Sequence, residues 1–511
     1  MATGSFYNFL LVFFVALGSF TYGFNSAIIG SVLGLPSFFK HFDLDLEGAN
    51  VEETNRIIGA TNGMFAGGGM IGCLLVPWIA NKLGRLRTIQ IVALLCVVSA
   101  AIQAGSVHIA MFLVGRFFNG IGVGMVDVAV PLYQAEVSPA KTRGRMVGSH
   151  GFLIVCGYAG AGWVGYGCYF LTNEAVQWRL CLALQMLAPL LLLAGSPWVP
   201  ESPRWLCAKG KNPEALAVLE KMHSHAMEEF YQIHLQLELE QSQQVNNSWI
   251  EIFRKKSYRK RLIYGFFVQC IAQSTGVLVV NNYQVLLYNG LGLYNSTPLV
   301  LYACYNSWAA FMNWVNSIML DRWGRIRIMT VGLIGCALSL SCFTAMVAEY
   351  GGTENKIGNG FGVFFLYLFV TFYGGTMDAS SYVYCAEIFP TTIRAQGLGF
   401  SVMGLFMMTL IYTQTAPTAF AEVGWRYYLV FITIPLAGVW FLATFLPETR
   451  LLSLEEISNL FGDEVAVDLA QMSEEQQQAM EADFRANNPN LTSTVGHESK
   501  DVSSTRIEST M

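Results

Sequence analysis

The sequence predicts an all-α membrane protein of twelve transmembrane helices, arranged as two six-helix repeats. Three observations carry this prediction. Of the 511 residues, 53% are hydrophobic and only 13% are charged, about half the ~25% charge of a soluble domain. Apolar runs recur near residues 7–35, 57–80, 88–107, 109–135, 146–171, 178–199, 261–289, 297–320, 327–349, 360–386, 395–421 and 425–446, and about 20 apolar residues suffice to cross a bilayer. Three charged motifs also occur twice, in the same order and at nearly one offset. Such a composition excludes a soluble enzyme, a disordered chain and a nucleic-acid binder.

The elements follow in order. The first run has no basic segment before it and continues to Leu35, so it reads as the first span and not as a cleaved signal. Residues 1–200 then form an N-terminal six-helix bundle. Residues 201–260 are polar and form a linker with helices of its own. Asn212-Pro213-Glu214 supplies a capping residue, a proline at the first helical position and an acid at the positive helix end, ahead of an Ala-, Leu- and Glu-rich run to about Gln244. Residues 261–446 form the C-terminal bundle. Residues 447–511 form an acidic tail with thirteen Asp/Glu and four Lys/Arg, which accounts for the net charge of −5. The tail opens with the capping box Ser453-Leu454-Glu455-Glu456. After about residue 463 it has the composition of a disordered segment.

Charge placement sets the orientation. With the N-terminus in the cytoplasm, 24 of the 30 Lys/Arg fall in cytoplasmic loops or the tail, Arg116 lies within span four, and only Lys40, Arg56, Arg179, Lys356 and Arg426 face outward. This is a strong positive-inside bias, so both termini are expected in the cytoplasm. Ten of the 11 Cys lie in apolar stretches and no CxxC pair occurs, so neither disulfides nor a structural metal is expected.

The repeats are explicit. Asn81-Lys82-Leu83-Gly84-Arg85-Leu86-Arg87 matches Asp321-Arg322-Trp323-Gly324-Arg325-Ile326-Arg327. Ala135-Glu136-Val137, followed by Arg143, matches Ala386-Glu387-Ile388, followed by Arg394. Pro200-Glu201-Ser202-Pro203-Arg204 matches Pro447-Glu448-Thr449-Arg450. A duplicated six-span unit with a binding site between its halves is a transporter design.

These motifs, with Gly115-Arg116 opening span four and Pro131-x-Tyr133 ahead of Glu136, resemble the sugar porter family of the major facilitator superfamily, and fungal sugar permeases within it. The resemblance covers about residues 10–458. It implies a cytoplasmic gate of Arg85, Arg87, Glu136, Arg143, Glu201, Arg204, Asp321, Arg325, Glu387, Arg394 and Glu448. In the family the loop of one half pairs with the span-end Glu and Arg of the other. Arg85 and Arg87 are therefore expected to work with Glu387 and Arg394, and Asp321 and Arg325 with Glu136 and Arg143. Asn81 stands where the family usually has Asp.

The central site departs further. Span seven of the family usually reads QQ-x-SGIN before an aromatic pair. Here Gln273, Gly276 and Tyr283 match, Ala272 and Leu278 replace usual amides, and Asn281 and Asn282 introduce others. The family's span-five Gln position falls at Gly151, beside His150, and its span-ten aromatic at Tyr382. Span one reads Tyr22-Gly23-Phe24-Asn25. Proton-coupled members carry Asp at that last position, and an amide cannot carry a proton.

Two carboxylates inside spans reopen the coupling question. Asp127 and Asp378 each precede the motif Glu of their repeat by nine residues, and they are equivalent positions. Intramembrane acids mark functional positions by default, with Arg116 and His150 as candidate partners of Asp127.

The expected substrate contacts are Asn25, Gln273, Asn281, Asn282 and Tyr382, with Asp127 and Asp378. The expected function is transport of a mono- or disaccharide or related polyol by alternating access, as facilitator or proton symporter. The alternatives are a sugar sensor without transport, or a porter of a quinate-like acid. The expected partners are a small-molecule sugar, protons if transport is coupled, and the lipid bilayer. No nucleic acid, cofactor, metal or enzymatic activity is expected. The chain is expected to work as a monomer in the plasma membrane.

Overall fold

The structure is a computed structural model that describes residues 10–44, 50–138, 143–222, 226–242, 249–351, 353, 355–390, 393–450, 452 and 454–462. The acidic tail beyond residue 462, the capping-box Ser453, and the side chains of Arg143 and Asp321 lie outside the described residues.

Among the described residues, twelve helical segments run the length expected of membrane spans, some of them broken into shorter helices. The first six are Leu10–Val32, Val51–Leu83, Arg85–Ala104, Ile109–Val137, Arg143–Tyr169 and Glu174–Trp198. The last six are Lys256–Gly290, Thr297–Trp323, Arg325–Tyr350, Lys356–Glu387, Arg394–Val423 and Tyr428–Phe445. The helices overrun the apolar runs at several ends. Span two begins at Val51 instead of near residue 57, with Glu52 and Glu53 in its first turn, where the helix dipole favours negative charge. Span eight carries Asn306, Asn313 and Asn316 within its helix.

Several spans are irregular. Span seven is broken between Gln273 and Val277 by Gly276, whose φ of 81° lies in the left-handed region, the conformation that glycine adopts without steric cost. Span ten widens into a π-helical turn over Tyr373–Met377, immediately before Asp378. Like spans two, eleven and twelve, span four has an internal proline, Pro131. Interrupted helices and π-turns gather at functional positions in membrane proteins.

The halves meet along two long helix pairs, span two against span eleven and span five against span eight. Exchanging the repeats turns each pair into the other, as a two-fold relation requires. Beyond the spans, helices Pro203–Ala208, Asn212–Met222 and Ala226–Ser242 bury Leu206, Leu216, Leu219 and Phe230 in a small core of their own. The helix expected from Asn212 to about Gln244 is thus two helices. Helix Leu454–Leu460 follows span twelve, and the neighbouring Phe461 ring lies 4.5 Å from the Arg261 guanidinium.

Candidate functional site

The duplicated motifs build the same cluster in each half. Arg85 donates through Nε and Nη2 to both oxygens of Glu136, at 2.9 and 2.7 Å. Arg325 does the same to Glu387, at 3.1 and 2.7 Å. Such two-point pairs are the strong form of an ion pair. Glu201 accepts from the backbone N–H of Arg85 and Leu86, and Glu448 from those of Arg325 and Ile326. Glu201 therefore caps the open N-terminus of span three and Glu448 that of span nine. Ser202 and Thr449 complete the clusters by donating their hydroxyls to Glu136 and Glu387. Burial pushes the Glu201 carboxyl above the usual range, while N–H groups of Ser202, Leu86 and Arg85 pull it back. Gly84 and Gly324 turn the chain at φ 103° and 89° to bring arginine and carboxylate together.

The expected pairing across the halves joins Arg85 to Glu387 and Arg325 to Glu136, but the ion pairs seen among the described residues are different, and the expected partners Asp321 and Arg143 lie outside the described side chains. Arg85 pairs with Glu136 and Arg325 with Glu387, each within its own half. The short turn at Gly84 or Gly324 places each arginine beside its own half's span-end acid. Arg87 is exposed. Arg204 acts electrostatically on Glu136, and buried Arg394 donates to the Phe389 carbonyl. At this motif-bearing end the halves meet through apolar side chains, with Ala135 packed among Leu320, Ile328, Val383 and Ala386.

Deeper in the membrane, Asp127 and His150 are both completely buried. The imidazole Nε2 lies 3.1 Å from Asp127 Oδ1, and Nδ1 lies 2.7 Å from the Ser19 hydroxyl. The Tyr382 hydroxyl, from the other half, donates to Asp127 Oδ2 at 3.1 Å. All three contacts are satisfied at once when the imidazole carries its proton on Nε2 and the Ser19 hydroxyl donates to Nδ1. The rings of His150 and Tyr382 also meet edge to face at 5.3 Å. Gly151 permits this approach: a Cβ there would sit 3.2 Å from the Ala379 backbone. The position where the family carries Gln is thus filled by span ten. Asp378 is half-buried and takes a hydrogen bond from the Asn313 amide at 2.5 Å.

Asn25 is drawn into packing of the first half. Its amide donates to the Thr21 carbonyl and accepts from Asn119. Arg116, beside it, donates to the carbonyls of Asn25 and Thr61 and stacks 4.3 Å from the Phe65 ring centroid. Of the two candidate partners, it is His150 that meets Asp127.

The span-seven amides lie at the junction of the halves. Asn281 Oδ1 is 2.8 Å from the Tyr302 hydroxyl, which is also 2.9 Å from the Ala27 carbonyl of span one. Asn62 of span two donates to the Tyr283 hydroxyl at 3.0 Å. Gln273 and Asn282 are buried, and among the described residues Gln273 Oε1 and Asn282 Oδ1 have no hydrogen-bond partner. Sequence reasoning missed Ser19, Asn62, Tyr302, Asn306 and Asn313. Three of these are amides within spans, and a count of intramembrane amides would have flagged them. Among the described residues, no group of three or more His, Cys, Asp and Glu is placed to hold a metal.

The chain resembles known transporters over most of its length. The sequence model of the family described as "Sugar (and other) transporter" matches residues 11–461. The chain is 30% identical to the MFS-type transporter criB of Aspergillus cristatus, over 90% of this chain and 94% of that one. It is 27% identical to a high-affinity glucose transporter of Kluyveromyces lactis, over 90% and 86%. The proton:xylose symporter XylE, solved bound to 6-bromo-6-deoxy-D-glucose, superposes with a TM-score of 0.78 at 22% identity, covering 90% of this chain and all of that one; this likeness shows the fold. The twelve spans, the duplicated arginine–glutamate clusters and the match across residues 11–461 place the chain in the sugar (and other) transporter family, as a multi-pass membrane transporter of the major facilitator fold.

Proposed function

We propose that this transporter moves a sugar or related polyol across the plasma membrane by alternating access, working as a monomer with both termini and the motif-bearing face in the cytoplasm. The observation that carries the substrate class is the pair of buried acceptors without partners, Gln273 Oε1 and Asn282 Oδ1, on either side of the break at Gly276. Buried polar atoms left unpaired are costly, and a polyhydroxylated substrate supplies the missing donors. Asn281 and Tyr382 complete the contact set. Asn25 supports the site from behind by holding spans one and four together. Residues 1–200 and 261–446 act as the two moving bundles. The linker, 201–260, and the tail, 447–511, lie on the cytoplasmic side.

A second reading is favoured by one residue. Arg116 is fully buried, and among the described residues its Nη2 has no hydrogen-bond partner. A substrate carboxylate would complete it, as in a quinate-like acid. Uptake of labelled D-glucose, D-xylose, maltose, a linear polyol and quinate by transporter-null cells separates the readings. Sugar or polyol uptake with KM raised about five- to tenfold in Gln273→Ala and Asn282→Ala is expected, the loss of one hydrogen bond each. Quinate uptake alone would favour the acid, and binding without uptake of any compound would favour a sensor.

A further inference from the structure

We propose that Asp127, clamped between His150 and Tyr382, carries a proton that moves with the substrate, so that coupling resides at the junction of spans four, five and ten and not in span one. The proposal rests on the reading of the chain as a substrate transporter.

Span one offers no place for the proton. Asn25 cannot titrate, and both polar ends of its amide are engaged, by Thr21 and Asn119. Arg116 is held by two backbone carbonyls and an aromatic face. Among the described residues, no Asp or Glu side chain is hydrogen-bonded to it.

Asp127 differs in each respect. It is fully buried, and its two oxygens are bound by groups from two different helices. The titratable groups around it are Tyr22 of span one, Cys73 of span two, His150 and Tyr158 of span five, and Asp378 and Tyr382 of span ten. Of these only His150 is basic. Among the described residues, His150 is the basic side chain within hydrogen-bond distance of the carboxylate, and it is backed by the Ser19 hydroxyl. Its repeat equivalent, Asp378, has an amide in that place, and an amide cannot relay a proton.

The linkage to substrate lies in the Tyr382 hydroxyl. Oδ2 of Asp127 accepts this hydroxyl across the interface between the halves. A proton bound at Oδ2 displaces that donor and frees the hydroxyl to turn to a substrate. A substrate that engages the hydroxyl conversely leaves Oδ2 open to a proton. Each ligand thus favours the other, and the favour is reciprocal. One proton enters from water on one face and adds to Oδ2, or to Oδ1 from His150 Nε2 as Nδ1 takes up a proton and Ser19 turns from donor to acceptor; either way it neutralises the carboxylate that holds the Tyr382 hydroxyl, and it leaves to water on the other face once the halves have moved. No covalent bond other than those to this proton changes.

The test uses the full-length protein in proteoliposomes containing a pH-sensitive dye, with D-glucose, D-xylose, maltose, a linear polyol and quinate each offered in turn. Wild type is expected to move protons with the compound it transports. Asp127→Asn is expected to lose that proton flux at least tenfold while still exchanging labelled compound. Asp378→Asn is expected to keep it. Ser19→Ala and His150→Gln, which leave the carboxylate in place, are expected to shift the pH profile of accumulation by at least about half a pH unit. Substrate entry without proton flux in wild type would overturn the proposal. So would a wild-type proton-to-substrate ratio in Asp127→Asn, an unchanged pH profile in both Ser19→Ala and His150→Gln, or loss of flux in Asp378→Asn alone. Failure of every compound to enter wild type would instead sink the transport reading beneath it.

Discussion

Arg116 shows how a buried cation is held by backbone carbonyls and an aromatic ring. The guanidinium bridges spans one and two by donating to the Asn25 and Thr61 carbonyls while lying over Phe65. A planar fork can serve two carbonyls and an aromatic face at once, and a lysine ammonium cannot. Arg116→Lys should therefore lower stability by about 1–3 kcal/mol, the cost of leaving one buried acceptor unpaired. Thermal unfolding in detergent reads this directly, and an unchanged melting temperature would contradict it. The sequence located this arginine by its place in an apolar run but could not choose its neighbours. The same is true of Asp127: position named it, while its pairing with His150 over Arg116 depends on how closely span five approaches span ten at Gly151. That approach is a product of packing between residues far apart in the chain, which no local pattern encodes.

At the scale of the element, the loop between paired spans was the most legible feature, and its partner was the least. Repetition revealed the Gly-Arg loop, the span-end Glu and the Pro-Glu motif as one recurring set. The family pattern then suggested that they join opposite halves, whereas among the described residues Arg85 and Arg325 each pair with the glutamate of their own half. The reason is geometric. Gly84 takes φ 103° and ψ 164°, a region essentially reserved for glycine, and the turn delivers Arg85 to Glu136 while exposing N–H groups to Glu201. A Cβ at position 84 would lie 2.3 Å from Glu201 Oε2, against 2.7 Å from Glu448 Oε2 at position 324. Gly84→Ala should thus combine about 1–3 kcal/mol of backbone strain with displacement of the cap. Gly324→Ala should cost somewhat less. The clusters sit in separate halves, so the double variant should be additive. Denaturant unfolding of the two single variants and the double variant checks this, and a Gly84→Ala protein as stable as wild type would refute the account.

For the whole molecule, the twelve spans and their duplication followed from hydropathy and repeat spacing, since bilayer thickness fixes helix length regardless of packing. Which hydrogen bonds hold the halves together did not follow, because it depends on the conformational state. Here the fastenings are unequal. Away from the motif-bearing face, Tyr302 reaches the Ala27 carbonyl and Asn62 reaches Tyr283. Toward the motif-bearing face, Tyr382 reaches Asp127. Each is worth about 0.5–1.5 kcal/mol net, so removing the first two together should shift the balance by about 1–3 kcal/mol, or roughly 5- to 150-fold. The state that opens away from the motif-bearing face should gain that population. Spin labels at Lys40 and Tyr294, both highly exposed just beyond spans one and seven, would report it. In Tyr302→Phe/Asn62→Ala the longer inter-label distance should grow at the expense of the shorter. Tyr382→Phe loosens the other end and should not produce that widening. If the double variant keeps the wild-type distance distribution, these two hydroxyl contacts do not govern closure, and the helix packing between the halves, with the Trp163–Ser307 hydrogen bond between spans five and eight, holds that side.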